Sequence, residues 1–250
     1  MNLLIDIGNS NLRWTCSGDD VPWEVEVLRH SGGVPLDLLA RWEQMAAPER
    51  VVVSNVGGGE VAEALARVTR ALWGCEPGYL RTRARFGDLR IAYAQPSRLG
   101  VDRWLALVAT HRAYQGPCVI LDAGTAATFD LLLAGGRHLG GLILPGIEMM
   151  RKSLLVGTHI PRVESEPTDD LWATDTASAV AAGSLQALVT LAGRLYDRLA
   201  QEADAQPRLI LTGGDAERLA PCLDLPFELV PDLVLRGMLA AMQPRDGEVN

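Results

Sequence analysis

At 250 residues the chain suits one large domain or two small, closely packed ones. Hydrophobic residues make up 48% and charged residues 22%, the balance of an ordinary soluble globule that needs no disulfide or metal staple. Lys and Arg number 23 against 31 Asp and Glu, and the resulting net charge of −8 argues against a nucleic-acid or anionic-membrane surface. Small anionic ligands are not excluded, because backbone amides and a bound cation hold phosphate without net positive charge on the protein.

Apolar patterning predicts strands over residues 3–5 and 12–16 around a turn, and a third over 23–28. Helical spacing covers 36–45, a short buried strand covers 51–53, and 61–72 reads as a helix. A strand over 91–93 leads to Pro96 and Gly100, which mark a turn before a helix from 102 to 114. The pattern then restarts. Residues 118–122, 128–133 and 140–144 are predicted strands, the last closed by Pro145-Gly146 and a helix to 155. A polar, proline-bearing loop over 164–168 precedes a long helix over 178–199. A strand at 208–211, a turn at Gly213-Gly214-Asp215 and a closing helix over 233–242 complete the chain. This alternation predicts an α/β protein.

Four scattered cysteines with no CxxC pair point to a reducing compartment, and four scattered histidines give no zinc pattern. The first six residues lack the basic region of a signal peptide. Asp122 and Asp130 interrupt the longest apolar-looking stretch, 118–133, so no membrane span is expected and the location is read as cytoplasmic.

One distant echo organises the rest. Asp6-Ile7-Gly8-Asn9-Ser10 and Asp122-Ala123-Gly124-Thr125-Ala126 share a pattern: an apolar strand, an Asp, a Gly two residues on, then a small residue and another strand. The repeat predicts two similar halves, 1–115 and 116–250. In such a turn glycine lets the backbone approach a phosphate, and the aspartate acts through Mg²⁺ because it repels phosphate directly. An ordinary β-turn uses the same residue types. Gly213-Gly214 is a third glycine turn at a strand end, where α/β sheets bind a base or ribose. Asp102, at a helix start, serves either as a favourable end charge or as a proton acceptor, and Arg103 beside it suits a carboxylate.

These features resemble the actin-like, sugar-kinase and Hsp70 ATPase superfamily, whose two phosphate loops and adenosine loop come in this order. A more specific resemblance, to the type III pantothenate kinases, rests on the Asp6–Ser10 turn and on Tyr93-x-x-Pro96-x-x-x-Gly100-Val101-Asp102-Arg103. The run from Asp122 to Asp130 and Gly140-Gly141-x-Ile143-x-Pro145-Gly146 complete it. Departures are Ser10 where the family usually has Thr, Gln95 where Asn is usual, and Asp175-Thr176 for an expected Asn-Thr pair.

The resemblance implies two actin-like (ribonuclease H-like) halves, each a mixed sheet with flanking helices. It implies that ATP and Mg²⁺ are bound by Asp6, Ile7, Gly8, Asn9, Ser10, Asn11, Leu12 and Arg13, with Thr125 on the γ-phosphate. Tyr93, Gly100, Val101, Asp102, Arg103 and Thr176 would hold pantothenate, with Asp102 the catalytic proton acceptor. It further implies a potassium or ammonium ion at Asp122, a homodimer, and no nucleic-acid or membrane partner. Two rivals remain at this stage: an actin-like kinase of a sugar or acetate, and a non-catalytic regulator of the Bvg accessory factor kind.

Overall fold

The computed structural model describes residues 1–18, 23–160 and 172–243; the expected loop at 164–168 lies outside them. Two compact units emerge, Met1–Arg112 with Asp232–Asn250, and Ala113–Pro231.

The first unit contains β1 (Asn2–Ile7), β2 (Asn11–Ser17), β3 (Glu26–Arg29), α1 (Leu36–Trp42), β4 (Arg50–Asn55), α2 (Gly59–Trp73) and β5 (Gly78–Tyr79). A small hairpin of β6 (Arg85–Phe86) and β7 (Leu89–Arg90) then leads to α3 (Val101–Ala113). Its five-stranded sheet runs β3-β2-β1-β4-β5, with β1 antiparallel to β2 and parallel to β4. Alternation along β1 sends Leu3, Ile5 and Ile7 into a core with Leu38, Trp42, Val61 and Leu65. Trp42 is fully buried there, and truncating such a side chain costs about 3–5 kcal/mol. Leu4 and Asp6 fall on the opposite face.

The second unit contains β8 (Cys118–Ala123), β9 (Ala126–Leu132), β10 (His138–Pro145), α4 (Ile147–Gly157), α5 (Thr176–Ala203), β11 (Arg208–Thr212), α6 (Ala216–Leu219) and β12 (Phe227–Leu229). Its sheet runs β10-β9-β8-β11-β12, the same plan as the first, with β8 antiparallel to β9 and parallel to β11. Val119, Leu121 and Ala123 face a core built with Leu188, Ala192, Tyr196 and Leu199 of α5. Asp6 and Asp122 each stand one residue before the end of the first strand of their sheet. Two mixed sheets with flanking helices are what the resemblance implies.

Three details differ from expectation. Residues 91–93 form no strand, because the buried apolar pair of that region is Phe86 and Leu89, 1% and 0% exposed, which sit on the β6–β7 hairpin. The closing helix α7 (Leu233–Met242) belongs with the first unit rather than the second. It lies so close to α3 that a Cβ on Gly237 would overlap the Leu105 carbonyl, and Arg112 donates to the Gln243 carbonyl at 2.8 Å. Finally, α5 is long and apolar enough to cross a membrane by length and composition. Its stripe of buried residues from Ala182 to Leu199 covers the β8–β9 sheet.

Candidate active site

In the first unit the turn between β1 and β2 is closed by the Gly8 N–H donating to the Asn11 carbonyl at 2.9 Å. His30 props it from β3's end: the Nε2–H donates to the Gly8 carbonyl at 2.8 Å, and Nδ1 accepts from Gly32 N–H at 3.4 Å. A carbonyl only accepts, so the hydrogen sits on Nε2. The end of β4 lies against the same turn. Val56 N–H donates to the Ile7 carbonyl at 2.9 Å, and a Cβ on Gly57 would stand 2.6 Å from the Gly8 oxygen. Asn55 holds this approach by accepting from Gly57 N–H and donating to the Gly58 carbonyl, both at 2.9 Å. Only glycine fits at 57.

Asp6 is 3% exposed and sits across the sheet from Arg13 and Ser54, with the Arg13 guanidinium 3.7 Å from its carboxylate. A buried carboxylate behind a backbone-lined turn is the donor set that one Mg²⁺ needs when phosphates and water supply its other ligands. The residues present fit that ion.

The first turn of α3 lies beside this turn. Gly100 approaches Val56, whose Cγ1 would be 3.8 Å from a Cβ there. The Asp102 carboxylate folds back over Gly100, and Arg103 N–H donates to its Oδ1 at 2.8 Å. Arg103 is 6% exposed; it donates to the Tyr93 hydroxyl at 3.2 Å, with its Cζ 5.9 Å from the Tyr93 ring centre. Asp6, the Gly8 turn, Gly100–Arg103 and Tyr93 are therefore brought together in one unit. Trp104 points inward, edge-on to Phe86 at 5.9 Å, as a core residue.

In the second unit the β8–β9 turn is closed by Gly124 N–H donating to the Ala126 carbonyl at 3.0 Å. Two glycines cradle it. A Cβ on Gly146 would overlap the Gly124 carbonyl, and one on Gly213, at φ +95°, would overlap the Ala123 carbonyl and crowd Asp122. Asp215 N–H donates to the Ala123 carbonyl at 2.8 Å, tying the Gly213-Gly214 turn to the strand that carries Asp122. Thr125 is exposed at the tip and Asp122 is half-buried. Thr176 is the first residue of α5 and is exposed. Asp175, in place of the expected Asn, caps that helix by accepting from Ser178 N–H at 3.0 Å, a contact that holds its carboxyl below the usual range. Arg151 pairs with Glu148 on its own helix at 3.2 Å, as a solvated helix charge does. No group of three or more His, Cys, Asp and Glu among the described residues makes a metal cage.

His30, Asn55, Gly57 and Gly146 support the two turns, and sequence reasoning gave none of them that task. Asn55 and the glycines after it carried a signal, since Asn and Gly at a strand end mark a tight turn.

Two units of one topology, each carrying an aspartate one residue before the end of its first strand and a glycine-cradled turn after it, define the fold of the actin-like and sugar-kinase class. Solved structures agree on the fold. A Campylobacter jejuni protein described as a Baf family transcriptional activator superposes with a TM-score of 0.61 at 24% identity, over 96% of both chains. A Sinorhizobium meliloti protein described as a 2-dehydro-3-deoxygalactonokinase superposes with 0.52 at 17% identity, over 97% of this chain and 96% of that one. The family model for type III pantothenate kinase matches residues 2–198. The type III pantothenate kinase of Nitrosococcus oceani is 40% identical over 245 residues, 95% of this chain and 92% of its own. That of Chromobacterium violaceum is 38% identical over 242 residues, 96% and 98% of the two chains. The chain belongs to the type III pantothenate kinase family.

Proposed function

We propose that this chain transfers the γ-phosphoryl group of ATP to the primary hydroxyl of pantothenate, giving ADP and 4′-phosphopantothenate, the first step towards coenzyme A. The observation that carries the reading is the junction at Val56–Gly57, which joins a phosphate-suited turn at Gly8 to the Gly100–Arg103 segment. Pantothenate has one hydroxyl to activate and one carboxylate to hold, and Asp102 and Arg103 match them in kind.

In this reading the backbone from Gly8 to Arg13 and the hydroxyl of Ser10 hold the phosphates, and Thr125 contacts the γ-phosphate. Asp6 would hold Mg²⁺, which would supply positive charge against the phosphates. Asp102, fixed by the Arg103 N–H, takes the proton of the hydroxyl as the oxygen attacks. Arg103 forms a two-pronged contact with the carboxylate, and Tyr93 keeps its guanidinium oriented. Gly100 and Val101 shape the floor, and Thr176 joins the pantothenate contacts. Phosphoryl transfer asks for little covalent chemistry, so alignment and charge neutralisation supply the rate.

A potassium or ammonium ion held by Asp122 and carbonyl oxygens would add the positive charge that neither phosphate turn provides by lysine. We place the enzyme in the cytoplasm as a homodimer. Edge strand β10 exposes Ile143 (64%) and Leu142 (43%), and α4 exposes Val156 (76%), apolar surface that a second copy would cover. A regulator without kinase activity needs neither the carboxylates nor their glycine cradles, and is not favoured.

A coupled ADP-release assay tests the reading. Pantothenate-dependent release is expected in potassium or ammonium buffer and only weakly in sodium. Release that ignores pantothenate would overturn the substrate, and full activity in sodium alone would remove the monovalent ion.

A further inference from the structure

The net charge of −8 conceals a local reversal. Residues 81–98 hold Arg81, Arg83, Arg85, Arg90 and Arg98 against the single acid Asp88, which is +4 there and therefore −12 in the rest of the chain. All five arginines are exposed, and none forms an ion pair or a side-chain hydrogen bond among the described residues. Two other exposed arginines of the same unit find carboxylates, Arg41 with Glu26 and Arg70 with Glu76 at 2.6 Å, and Arg29 stands unpaired among the described residues like the five but alone in its stretch of chain.

The segment is held on a fixed frame. Phe86 lies edge-on to Trp104 at 5.9 Å, with the Arg112 guanidinium 5.4 Å from its ring centre. Ile91 N–H donates to the Ala84 carbonyl at 3.2 Å and closes the hairpin. The Thr82 hydroxyl, between Arg81 and Arg83, donates to the Leu99 carbonyl at 2.8 Å, one residue before Gly100. Like charges fixed close together repel, and burying Phe86 and Leu89 requires none of them. Their position does have a use. Within about 10 Å, the screening length at 0.1 M salt, such charges act on an arriving anion.

We infer that the arginines of the β6–β7 segment form an electrostatic collector for the polyphosphate tail of the nucleotide substrate. The inference rests on the kinase reading for where the tail goes next. Attraction scales with ligand charge, and ATP carries about four negative charges against one on pantothenate. A long nucleic acid would have to lie across the acidic remainder of the chain, whereas a small polyanion meets the positive segment alone. The arginines touch no reacting atom. They raise the local concentration of nucleotide beside the segments at Gly8 and Gly100.

The test compares wild type, Arg81→Gln/Arg83→Gln/Arg85→Gln and the corresponding triple Lys variant, in assays at low and high salt. The Gln variant is expected to raise the ATP KM about tenfold at low salt and less than about twofold at 0.5 M salt, with kcat unchanged. The Lys variant should behave as wild type, because a collector needs charge and not the guanidinium fork. Titration with inorganic tripolyphosphate gives a readout independent of phosphorylation and should show the same salt-dependent loss of affinity. An ATP KM and a tripolyphosphate affinity both unchanged in the Gln variant at low salt would overturn the proposal. So would loss of single-stranded DNA binding with the ATP KM unchanged, which would assign the segment to a polymer. Arginine-dependent tripolyphosphate binding in a protein that ignores pantothenate would keep the collector and remove the substrate assignment instead.

Discussion

Asp102→Asn keeps an oxygen to accept the Arg103 N–H, now 2.8 Å from Oδ1, and keeps the size of the side chain. It removes only the ability to take a proton. Turnover should fall by about 10²- to 10⁴-fold, while equilibrium titration finds nucleotide affinity nearly unchanged. An Asn variant that turns over at the wild-type rate would exclude Asp102 as the base. At this scale the aspartates and glycines of both turns were legible in the sequence, because each turn is built from contiguous residues. His30 was not, since its bond to Gly8 spans 22 residues and nothing near it in sequence marks it. The tasks of Gly57 and Gly146 were hidden for the same reason. Each is demanded by a carbonyl oxygen from a distant strand end, which no local pattern encodes.

Among elements, the long strands and helices announce themselves by period, and β6, β7 and β12 do not. Two- and three-residue strands hold too few side chains for alternation to show, so the hairpin was missed and a strand was expected at 91–93 instead. The start of β8 carries a separate, measurable consequence. Burial pushes the Cys118 thiol up to about 11, with Glu228 adding to the rise and Arg208 opposing it. In the unfolded chain a thiol ionises near 8.5. Between those values the unfolded state binds fewer protons than the folded one, so stability is full below about pH 8.5 and falls as pH rises towards 11. Denaturant midpoints at pH 8 and pH 10.5 should differ less in Cys118→Ala than in wild type. An equal pH slope in the two would show that the thiol contributes nothing.

For the whole molecule, composition indicates an ordinary globular chain but misleads about local charge. A total of −8 is compatible with five unpaired arginines within residues 81–98, because net charge averages over the whole chain and hides a local run. The unit boundary was hidden similarly. A half-chain repeat suggests a cut near residue 115, but α7 closes the first unit through contact with β1 and α3, far from it in sequence. Gly237→Val, which forces a side chain into the Leu105 carbonyl, should destabilise the first unit by about 1–3 kcal/mol or more. Limited proteolysis should then cut within 1–112 before it cuts 113–231. Equal resistance of the two units would show that α3 and α7 tolerate separation.

The same return of α7 bears on how the protein is made. The second unit is one uninterrupted stretch, Ala113–Pro231, and can close as soon as it leaves the ribosome. The first unit has its sheet translated earliest but lacks its last helix until another 119 residues, 113 through 231, have been added. At about 5–20 residues per second that is a wait of about 6–24 s. During it, the α7-facing side of β1 and the Leu105 surface of α3 stand open to solvent or to a nascent-chain chaperone. The half translated first is thus the half completed last.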